Sequence, residues 1–380
     1  MKVCIIANDF QEEYTVNLIN SMIDYGIDVD FIGSGIYPLQ KINKKVNFLN
    51  LRGDCNPSDN TIILKKAVRM LRYYLRLIIY ISKTKTKLIH IQWYRFAFTE
   101  GILISLYMKM CGKKLVYTVH NVLPHDRWNL INQTLFWIIY RIHNKIIVHT
   151  EYIKLQLVNK FGIRPEKIVK VIHGLYEVKI RTLKDRVSAR EHFSFHPNDF
   201  VLLFFGIIRK YKGLDFLLDV FEELTMNAGF KIIVAGKVSD SYKSEMKTLQ
   251  LLHSSGNIKF ILRHINNNEI DQIFNASDVT VLPYTEASQS GVMLLSYAYG
   301  KPVIAPKLGG FPEDVIEGKN GYLFEPGNAE SLKAKIKLLR SVWLENSKKM
   351  SSEIRQTANK TYSWNKSISK LNEVYQSFEK

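Results

Sequence analysis

Apolar residues along the chain follow two alternating patterns. Short runs rich in valine and isoleucine alternate with longer stretches in which apolar residues recur every three or four positions. Runs of the first kind are typical of strands buried on both faces of a parallel sheet, and stretches of the second kind are typical of amphipathic helices. The alternation therefore predicts an α/β fold in which helices cover parallel sheets.

The strand-like runs fall into two sets, which predicts two domains. The first set is Lys2–Ala7, Asp28–Gly33, Leu88–Gln92, Lys114–Val119, Lys145–His149 and Ile168–Ile172. The second set is Phe200–Gly206, Phe230–Gly236, Asn257–Leu262, Asp278–Pro283, Pro302–Pro306 and Gly321–Phe324. A chain of 380 residues is also longer than one hydrophobic core usually organises.

A polar, charged stretch separates the two sets of strands. Residues 177–199 contain Lys, Arg, His and Pro197, which interrupt any apolar period. We therefore predict an N-terminal domain over residues 1–176, a linker over 177–199 and a C-terminal domain over 200–362. Residues 363–380 again show helical spacing, which predicts a last helix that packs back across the cleft between the domains.

Composition predicts a cytoplasmic protein. The three cysteines, Cys4, Cys55 and Cys111, are too few and too scattered for a disulfide framework or a closely spaced zinc site. The first apolar run is too short for a signal peptide, and no run reaches the roughly 20 apolar residues of a membrane span. We expect no metal site and no cofactor.

The net charge of +18 is concentrated in the N-terminal half. Residues 51–150 hold 16 Lys and Arg against 4 Asp and Glu. Such a field attracts anions, whether nucleic acid, anionic lipid or a phosphorylated substrate, and does not by itself distinguish them.

The loop after the strand Phe200–Gly206 is rich in cations. It runs Gly206-Ile207-Ile208-Arg209-Lys210-Tyr211-Lys212-Gly213, and a helical pattern begins at Leu214. Ligands of open α/β sheets bind outside the carboxyl ends of the strands. The turn can therefore bring Arg209 and Lys212 onto a diphosphate, the arginine as a bidentate fork and the lysine as a point charge. The alternative is a solvated basic turn.

A second polar loop follows the strand Asp278–Pro283 and leads into an apolar helix. The first N–H groups of that helix are expected to bind a phosphate. The predicted donor-binding residues are Gly206, Ser288, Gln289, Ser290, Gly291, Val292 and Met293. Beside them, the carboxylate of Glu286 can accept hydrogen bonds from two neighbouring sugar hydroxyls. The alternative is a serine N-cap with an exposed acid next to it.

Together these residues resemble the group 1 glycosyltransferases, family 4. The matching segments are Phe205–Gly213, Ala276–Pro283, Gly300–Ala305, Gly309–Glu313 and Asn320–Phe324. The resemblance implies the GT-B fold, with two Rossmann-like parallel-sheet domains that face a central cleft. It also implies metal-independent hexosyl transfer from a nucleotide-diphosphate sugar with retention of anomeric configuration, with catalytic roles for Arg209, Lys212 and Glu286.

The sequence departs from the pattern of this family at two places. Members often carry two glutamates eight residues apart around the donor helix, and Ala287 and Leu295 stand at those positions here. Glu286 is one residue early. Ile207 stands where many members have the phosphate-loop arginine, and Arg209 follows two residues later. We interpret both as variation within the family rather than loss of activity.

The resemblance also assigns a histidine of the N-terminal domain. The family has a histidine near the anomeric centre of the sugar after the strand that matches Lys114–Val119, and His120 fits that position best, ahead of His125. A neutral imidazole could orient donor or acceptor hydroxyls there. The alternative is a structural histidine, and we expect His173 to be structural.

The stretch Ile62–Lys83 predicts a basic amphipathic helix. Its cations are Lys65, Lys66, Arg69, Arg72 and Arg76. Such a helix can lie on an anionic membrane surface and present the N-terminal domain to a lipid-linked acceptor. The alternative is a core helix with a solvated basic side.

Other functions fit the sequence less well. The first strand is followed by Asn8-Asp9-Phe10-Gln11 instead of a glycine fingerprint, and the P-loop pattern is absent, which argues against a nicotinamide dehydrogenase and an NTPase. Alternation within a strand explains Asp28 and Asp30 better than a metal site does. A nucleotide-sugar epimerase of the same fold and a basic nucleic-acid-binding protein remain as alternatives.

We therefore expect a glycosyltransferase on the inner face of the cell membrane. Its donor is expected to be a UDP- or GDP-sugar, its acceptor a glycan or lipid-linked saccharide, and its pathway surface polysaccharide biosynthesis. We do not expect it to bind nucleic acid.

Overall fold

The computed structural model describes residues 1–9, 11–53, 63–123, 129–178, 183–225, 229–253 and 255–379. The chain forms two compact units, Met1–Gly174 with Tyr362–Lys380 and Leu175–Thr361. The first unit ends at Gly174, whereas the sequence-based boundary lay near Tyr176. Of the predicted features, Cys55, Ile62, His125 and residues 179–182 lie outside the described residues.

The first unit contains a parallel sheet of seven strands. In chain order they are β1 (Lys2–Ile6), β2 (Asp28–Gly33), β3 (Asn47–Asn50), β4 (Leu88–Ile91), β5 (Lys114–Val119), β6 (Lys145–Val148) and β7 (Ile168–Lys170). Their spatial order is β3-β2-β1-β4-β5-β6-β7. The edge strand β3 was not predicted, because Phe48 and Leu49 are its only apolar residues and both are only half-buried.

Helices cover both faces of this sheet. They are α1 (Glu12–Asp24), α2 (Ile63–Lys83), α3 (Ser105–Met110), α4 (Leu130–Ile142), α5 (Glu151–Phe161) and the C-terminal helix α13 (Trp364–Gln376), and a π-helical segment, Ala97–Ile104, leads into α3. One core lies between the sheet and α1 with α13, and the other lies between the sheet and α2 to α5. The C-terminal helix is thus built into the first unit.

The second unit contains a parallel sheet of six strands. They are β8 (Phe200–Phe205), β9 (Phe230–Ala235), β10 (Ile258–Ile261), β11 (Val279–Val281), β12 (Val303–Pro306) and β13 (Gly321–Phe324), in the spatial order β10-β9-β8-β11-β12-β13. The helices are α6 (Leu183–His192), α7 (Leu214–Thr225), α8 (Lys243–Leu252), α9 (Asn267–Ala276), α10 (Gly291–Ala298), α11 (Phe311–Asp314) and α12 (Ala329–Thr361).

The predicted linker needs correction, because it contains α6 and that helix is part of the second unit. Arg190 of α6 is buried and donates a hydrogen bond to Asp278 Oδ2 at 2.6 Å. Arg186 donates to the other oxygen of the same carboxylate. The charged composition suggested a solvated connector, but these cations neutralise a buried acid.

Each sheet has a topological switch point, where strands that lead in opposite directions across the sheet are neighbours. In the second unit β8 lies between β9 and β11, and in the first unit β1 lies between β2 and β4. Loops that leave the carboxyl ends of such strands diverge and open a crevice for ligands. The two predicted donor-binding loops follow β8 and β11, so the topology brings them together.

Candidate donor-binding site

The loops after β8 and β11 are joined by direct backbone contacts. Thr285 N–H donates to the Tyr211 carbonyl oxygen at 2.8 Å. Gly213 has a φ of 64°, and a Cβ at this position would lie 2.1 Å from the carbonyl oxygen of Pro283. The close approach requires glycine at 213. The turn after β8 is therefore fixed against the segment that follows β11.

Lys212 is the central cation of this site. Its side chain is buried, and burial lowers its pKa to about 8. Among the described residues no carboxylate forms an ion pair with it. Arg209 is half-buried and also lacks an ion pair within the described part of the chain. By contrast, Lys210 points to solvent and pairs with Glu245 at 3.2 Å.

Helix α10 begins at the same edge of the sheet. Its N-cap is Ser290, whose hydroxyl oxygen accepts a hydrogen bond from Met293 N–H at 3.3 Å. The N–H groups of Gly291 and Val292 have no acceptor within the helix, because the first turn of any α-helix leaves such groups over. These groups and the helix dipole provide a site for an anion.

The lysine and the helix meet at Gly206. This glycine has a φ of 99°, and a Cβ there would lie 3.1 Å from Lys212 Nζ and 3.2 Å from Val292 Cγ2. The ammonium group and the first turn of α10 therefore both lie next to the same backbone position. The structure thus brings together Gly206, Lys212 and the first turn of α10.

The loop between β11 and α10 presents its polar residues differently. Glu286 is exposed, and no hydrogen bond or ion pair is found for it among the described residues. Ser288 and Gln289 are half-buried. Ala287 is buried, and a Cβ on Gly309 would lie 1.7 Å from the Ala287 carbonyl oxygen. The turn at Gly309 therefore fixes the backbone next to Glu286, while the carboxylate itself faces solvent.

Sequence reasoning missed Tyr284, which lies beside the lysine. Tyr284 is buried in the segment that follows β11, and its ring centroid lies 5.2 Å from Lys212 Nζ. An aromatic face attracts a cation at this distance. The available signal was an aromatic residue at the end of a strand that borders a cationic loop.

In the first unit His120 belongs to a buried aromatic cluster. Its ring centroid lies 5.2 Å from that of Tyr14 and 5.1 Å from that of His149, and His173 lies 4.6 Å from Tyr14. The three histidines follow the neighbouring strands β5, β6 and β7. Burial holds the pKa of His120 well below its usual range, so its imidazole is neutral.

A second polar cluster of the first unit was not predicted. It lies at the ends of β1 and β4, where Asp9 accepts hydrogen bonds from Ser34 at 2.6 Å, Arg52 at 2.9 Å and Arg95 at 3.0 Å. Arg52 also lies 3.7 Å from Glu100, whose pKa is raised by burial. The only sequence signal was an aspartate soon after the first strand.

Two family models together match nearly the whole chain. The model for glycosyl transferases group 1 matches residues 185–360, and the model for glycosyltransferase family 4 matches residues 11–175. Together they leave out only residues 1–10, 176–184 and 361–380. The chain belongs to the group 1 glycosyltransferases.

Curated relatives in this family match about half of the chain. GDP-mannose:glycolipid 4-beta-D-mannosyltransferase of Xanthomonas campestris pv. campestris is 26% identical over 205 residues, which are 54% of this chain and 53% of the relative. D-inositol 3-phosphate glycosyltransferase of Streptomyces bingchenggensis is 28% identical over 193 residues, 49% of this chain and 42% of the relative. The chain thus spans about half the length of the curated relatives it matches.

Solved structures match the fold over the whole chain. Anabaena Alr3699/HepE in complex with UDP has a TM-score of 0.76 at 17% identity, with 99% of this chain and 100% of that chain covered. WaaG, a glycosyltransferase involved in lipopolysaccharide biosynthesis, has a TM-score of 0.68 at 13% identity, with 98% of each chain covered. These likenesses and the two parallel-sheet Rossmann-like domains confirm the predicted GT-B fold.

Helix α2 of this glycosyltransferase has two apolar faces. The residues that pack into the core are Tyr73, Leu77 and Ile81. The exposed apolar residues are Val68, Leu71, Leu75, Ile78 and Ile79. At about 100° per residue the exposed apolar stripe lies opposite Leu77, and Arg69, Arg72 and Arg76 lie between the two faces. Lys65 and Lys66 are exposed near the start of the helix.

Other sequence features have structural explanations. Asp30 is buried, and its carboxylate accepts hydrogen bonds from Asn47 at 2.6 Å and Tyr80 at 2.8 Å and pairs with Lys2 at 2.8 Å. Asp28 is exposed at the start of β2.

In the part of the chain that the structure describes, no helix has the length and apolar character of a membrane span, and no group of three or more acidic, histidine or cysteine side chains could hold a metal ion.

Proposed function

We propose that this chain transfers a hexose from a nucleotide-diphosphate donor to a glycan acceptor and that the second unit binds the donor diphosphate. The observation that carries the proposal is the buried ammonium of Lys212 beside the first turn of α10. A buried cation is costly unless an anion compensates it. The lowered pKa of Lys212 expresses that cost in the free protein. A diphosphate supplies the missing negative charge.

The leaving group is the part of the donor that these residues stabilise. As the bond between the sugar and the diphosphate breaks, negative charge grows on the phosphate oxygens. In this proposal Lys212, Arg209 and the N–H groups of Gly291 and Val292 compensate that charge, a task that a metal ion performs in other transferases. We therefore propose that the reaction needs no bound metal.

The donor is proposed to be a UDP- or GDP-sugar. Support comes from the Anabaena structure, which contains UDP, and from the Xanthomonas relative, whose name specifies GDP-mannose. Retention of anomeric configuration follows from the family resemblance and is part of the proposal. So are the roles of Glu286 in holding sugar hydroxyls and of His120, as a neutral imidazole, in orienting a hydroxyl.

The acceptor is proposed to be a lipid-linked saccharide at the inner face of the cell membrane, in surface polysaccharide biosynthesis. Support comes from the outer face of α2. Its exposed apolar stripe can enter the lipid interface while Arg72 and Arg76 pair with anionic headgroups, which is the arrangement of a helix that lies in the plane of a membrane. The positive charge of residues 51–150 favours the same surface.

A donor screen followed by a transfer assay tests the proposal. Thermal unfolding is measured with UDP-, GDP- and ADP-sugars, because a donor at a hundred times its dissociation constant stabilises the protein by roughly 2.7 kcal/mol. The donor that stabilises the protein is then incubated, in labelled form, with a lipid-linked acceptor, with and without EDTA. We expect transfer in both samples. Conversion of the donor without an acceptor supports an epimerase, and salt-sensitive DNA binding without any donor effect supports a nucleic-acid-binding protein.

A further inference from the structure

Tyr176 lies against the first residue of α10. A Cβ on Gly291 would lie 2.8 Å from Tyr176 Oη and 3.7 Å from its Cζ. Real side chains almost never approach so closely, so the phenol oxygen fills the space that any other residue at position 291 would need. Both residues belong to the second unit. The Tyr176 hydroxyl is thus fixed at the N-terminus of the helix.

Lys212 lies near the second residue of the same helix, Val292. Val292 follows Gly291 in the first turn, and a Cβ on Gly206 would touch both Val292 and Lys212 Nζ, at 3.2 and 3.1 Å. Lys212 is only 8% exposed, and its ammonium group forms no hydrogen bond or ion pair with the residues that the structure describes. A buried cation without an acidic partner is an observation independent of the helix N-terminus, and both indicate an anion.

Three kinds of hydrogen-bond donor therefore lie near the first two residues of α10. They are the N–H groups of the first turn, the ammonium of Lys212 and the hydroxyl of Tyr176. A phenol is neutral at ordinary pH and can donate one hydrogen bond, whereas a carboxylate in its place would repel a phosphate.

We propose that Tyr176 is a donor-binding residue, whose hydroxyl donates a hydrogen bond to the diphosphate held at the N-terminus of α10. This inference rests on the proposed function, since it assumes that a nucleotide diphosphate binds there. It adds a residue from the segment that precedes α6, far from both predicted loops in sequence. It also gives a reason for glycine at position 291.

Calorimetric titration of Tyr176→Phe tests the hydrogen bond. The ligands are inorganic pyrophosphate and whichever of UDP and GDP the wild-type chain binds more tightly. A hydrogen bond to a charged group is expected to change affinity about tenfold or more. We expect Tyr176→Phe to weaken both ligands by the same factor and the control Tyr322→Phe, in β13 of the same unit, to weaken neither. Loss of nucleotide affinity without loss of pyrophosphate affinity would contradict a contact with the diphosphate.

A double-mutant cycle with Gly291→Ala tests the geometry. The new methyl group meets Tyr176 Oη, so Gly291→Ala is expected to weaken nucleotide binding in the wild-type chain. In the Tyr176→Phe background the atom that it meets is gone, and the cost of Gly291→Ala should be several-fold smaller. Equal costs in the two backgrounds contradict the proposal.

The two proposals can fail separately. If the wild-type chain binds neither UDP, GDP nor pyrophosphate, the proposed function fails and this inference fails with it. If the wild-type chain binds a nucleotide diphosphate and Tyr176→Phe binds it equally well, the proposed function stands and Tyr176 is not a donor-binding residue.

Discussion

The ammonium group of Lys212 lies 5.2 Å from the centroid of the Tyr284 ring. The aromatic face compensates part of the charge. Burial nevertheless lowers the pKa of Lys212 to about 8. In the free protein this lysine is therefore close to losing its proton at neutral to mildly alkaline pH, and a bound diphosphate stabilises the charged form.

This relationship predicts how nucleotide affinity depends on pH. Below about pH 8 Lys212 is already protonated and the anion binds directly. Above that pH the free protein has lost the proton and binding must take one up, so affinity should fall by up to about tenfold per pH unit. The measurement is a titration with UDP or GDP between about pH 7 and about pH 9.5.

Lys212→Arg is the control for the pH profile, because arginine stays protonated throughout this range. We expect its affinity to change much less with pH than that of the wild-type chain. Parallel profiles would show that Lys212 does not carry the pH dependence.

The buried histidines predict a loss of stability in mild acid. Burial lowers the pKa of His90, His143 and His173 to about 3 and that of His149 to about 4, and it also holds the pKa of His120 well below its usual range. In the unfolded chain each titrates near about 6.5. Between these values only the unfolded chain binds the protons, so the free energy of unfolding falls as the pH drops from about 6.5 to about 4.

The size of this effect can be measured by denaturant unfolding at several pH values. Each such histidine contributes a slope of about 1.4 kcal/mol per pH unit in the full window. His149→Gln removes one titrating group and should reduce the slope by about that amount. Constant stability between about pH 7 and about pH 5 would show that these histidines are not buried in the neutral form.

The fold could be predicted from the sequence wherever burial left a continuous apolar run. The strands that begin at Phe200 and Lys114 are of this kind, and the end of the first of them places one loop of the candidate site. Strand β3 has no such run, because it lies at the edge of its sheet. Helix α6 was not predicted, because its arginines are typical of surface charge in the sequence. In the structure they bind the buried Asp278.

The candidate site could be predicted only in part. The ends of the predicted strands give the positions of the loops, and the loop sequence gives the cations. The contacts of Lys212 with Tyr284 and of Tyr176 with Gly291 join residues far apart in the sequence. In α2 the periodicity predicted the helix, but not that Leu71 and Leu75 face outward while Leu77 faces the core.

The outer face of α2 predicts reversible binding to anionic membranes. The variant replaces five cations by glutamine, at Lys65, Lys66, Arg69, Arg72 and Arg76. Each cation near such a surface contributes about 1 kcal/mol, and salt screens the attraction. We expect the variant to be released from anionic vesicles in a sedimentation assay while its affinity for UDP or GDP is unchanged.

Two further variants separate charge from apolar insertion. Leu71→Ser with Leu75→Ser leaves the charge intact and should still weaken vesicle binding, because these exposed side chains are then too polar to enter the interface. Lys348→Gln with Lys349→Gln, on the exposed side of α12, is the control and should bind like the wild type. Equal binding by all variants rules out α2 as the membrane contact.

Glu286 predicts a separation between transfer and nucleotide binding. In Glu286→Gln the amide replaces an acceptor by a donor, so sugar hydroxyls lose orientation while the diphosphate is still held. We expect a lower transfer rate and nearly unchanged affinity for free nucleotide. Ser290→Ala is measured beside it, and it should weaken the N-cap of α10. A fully active Glu286→Gln enzyme would show that the acid does not hold the sugar.

The central claim is that Lys212 and Arg209 bind the donor diphosphate, and one calorimetric comparison tests it most directly. UDP and GDP are titrated into the wild-type chain, Lys212→Ala, Arg209→Ala and the control Lys210→Ala, whose lysine points to solvent and pairs with Glu245. We predict that Lys212→Ala and Arg209→Ala each lose about tenfold or more in affinity, while Lys210→Ala binds like the wild type. Equal affinity in all four proteins would contradict the account.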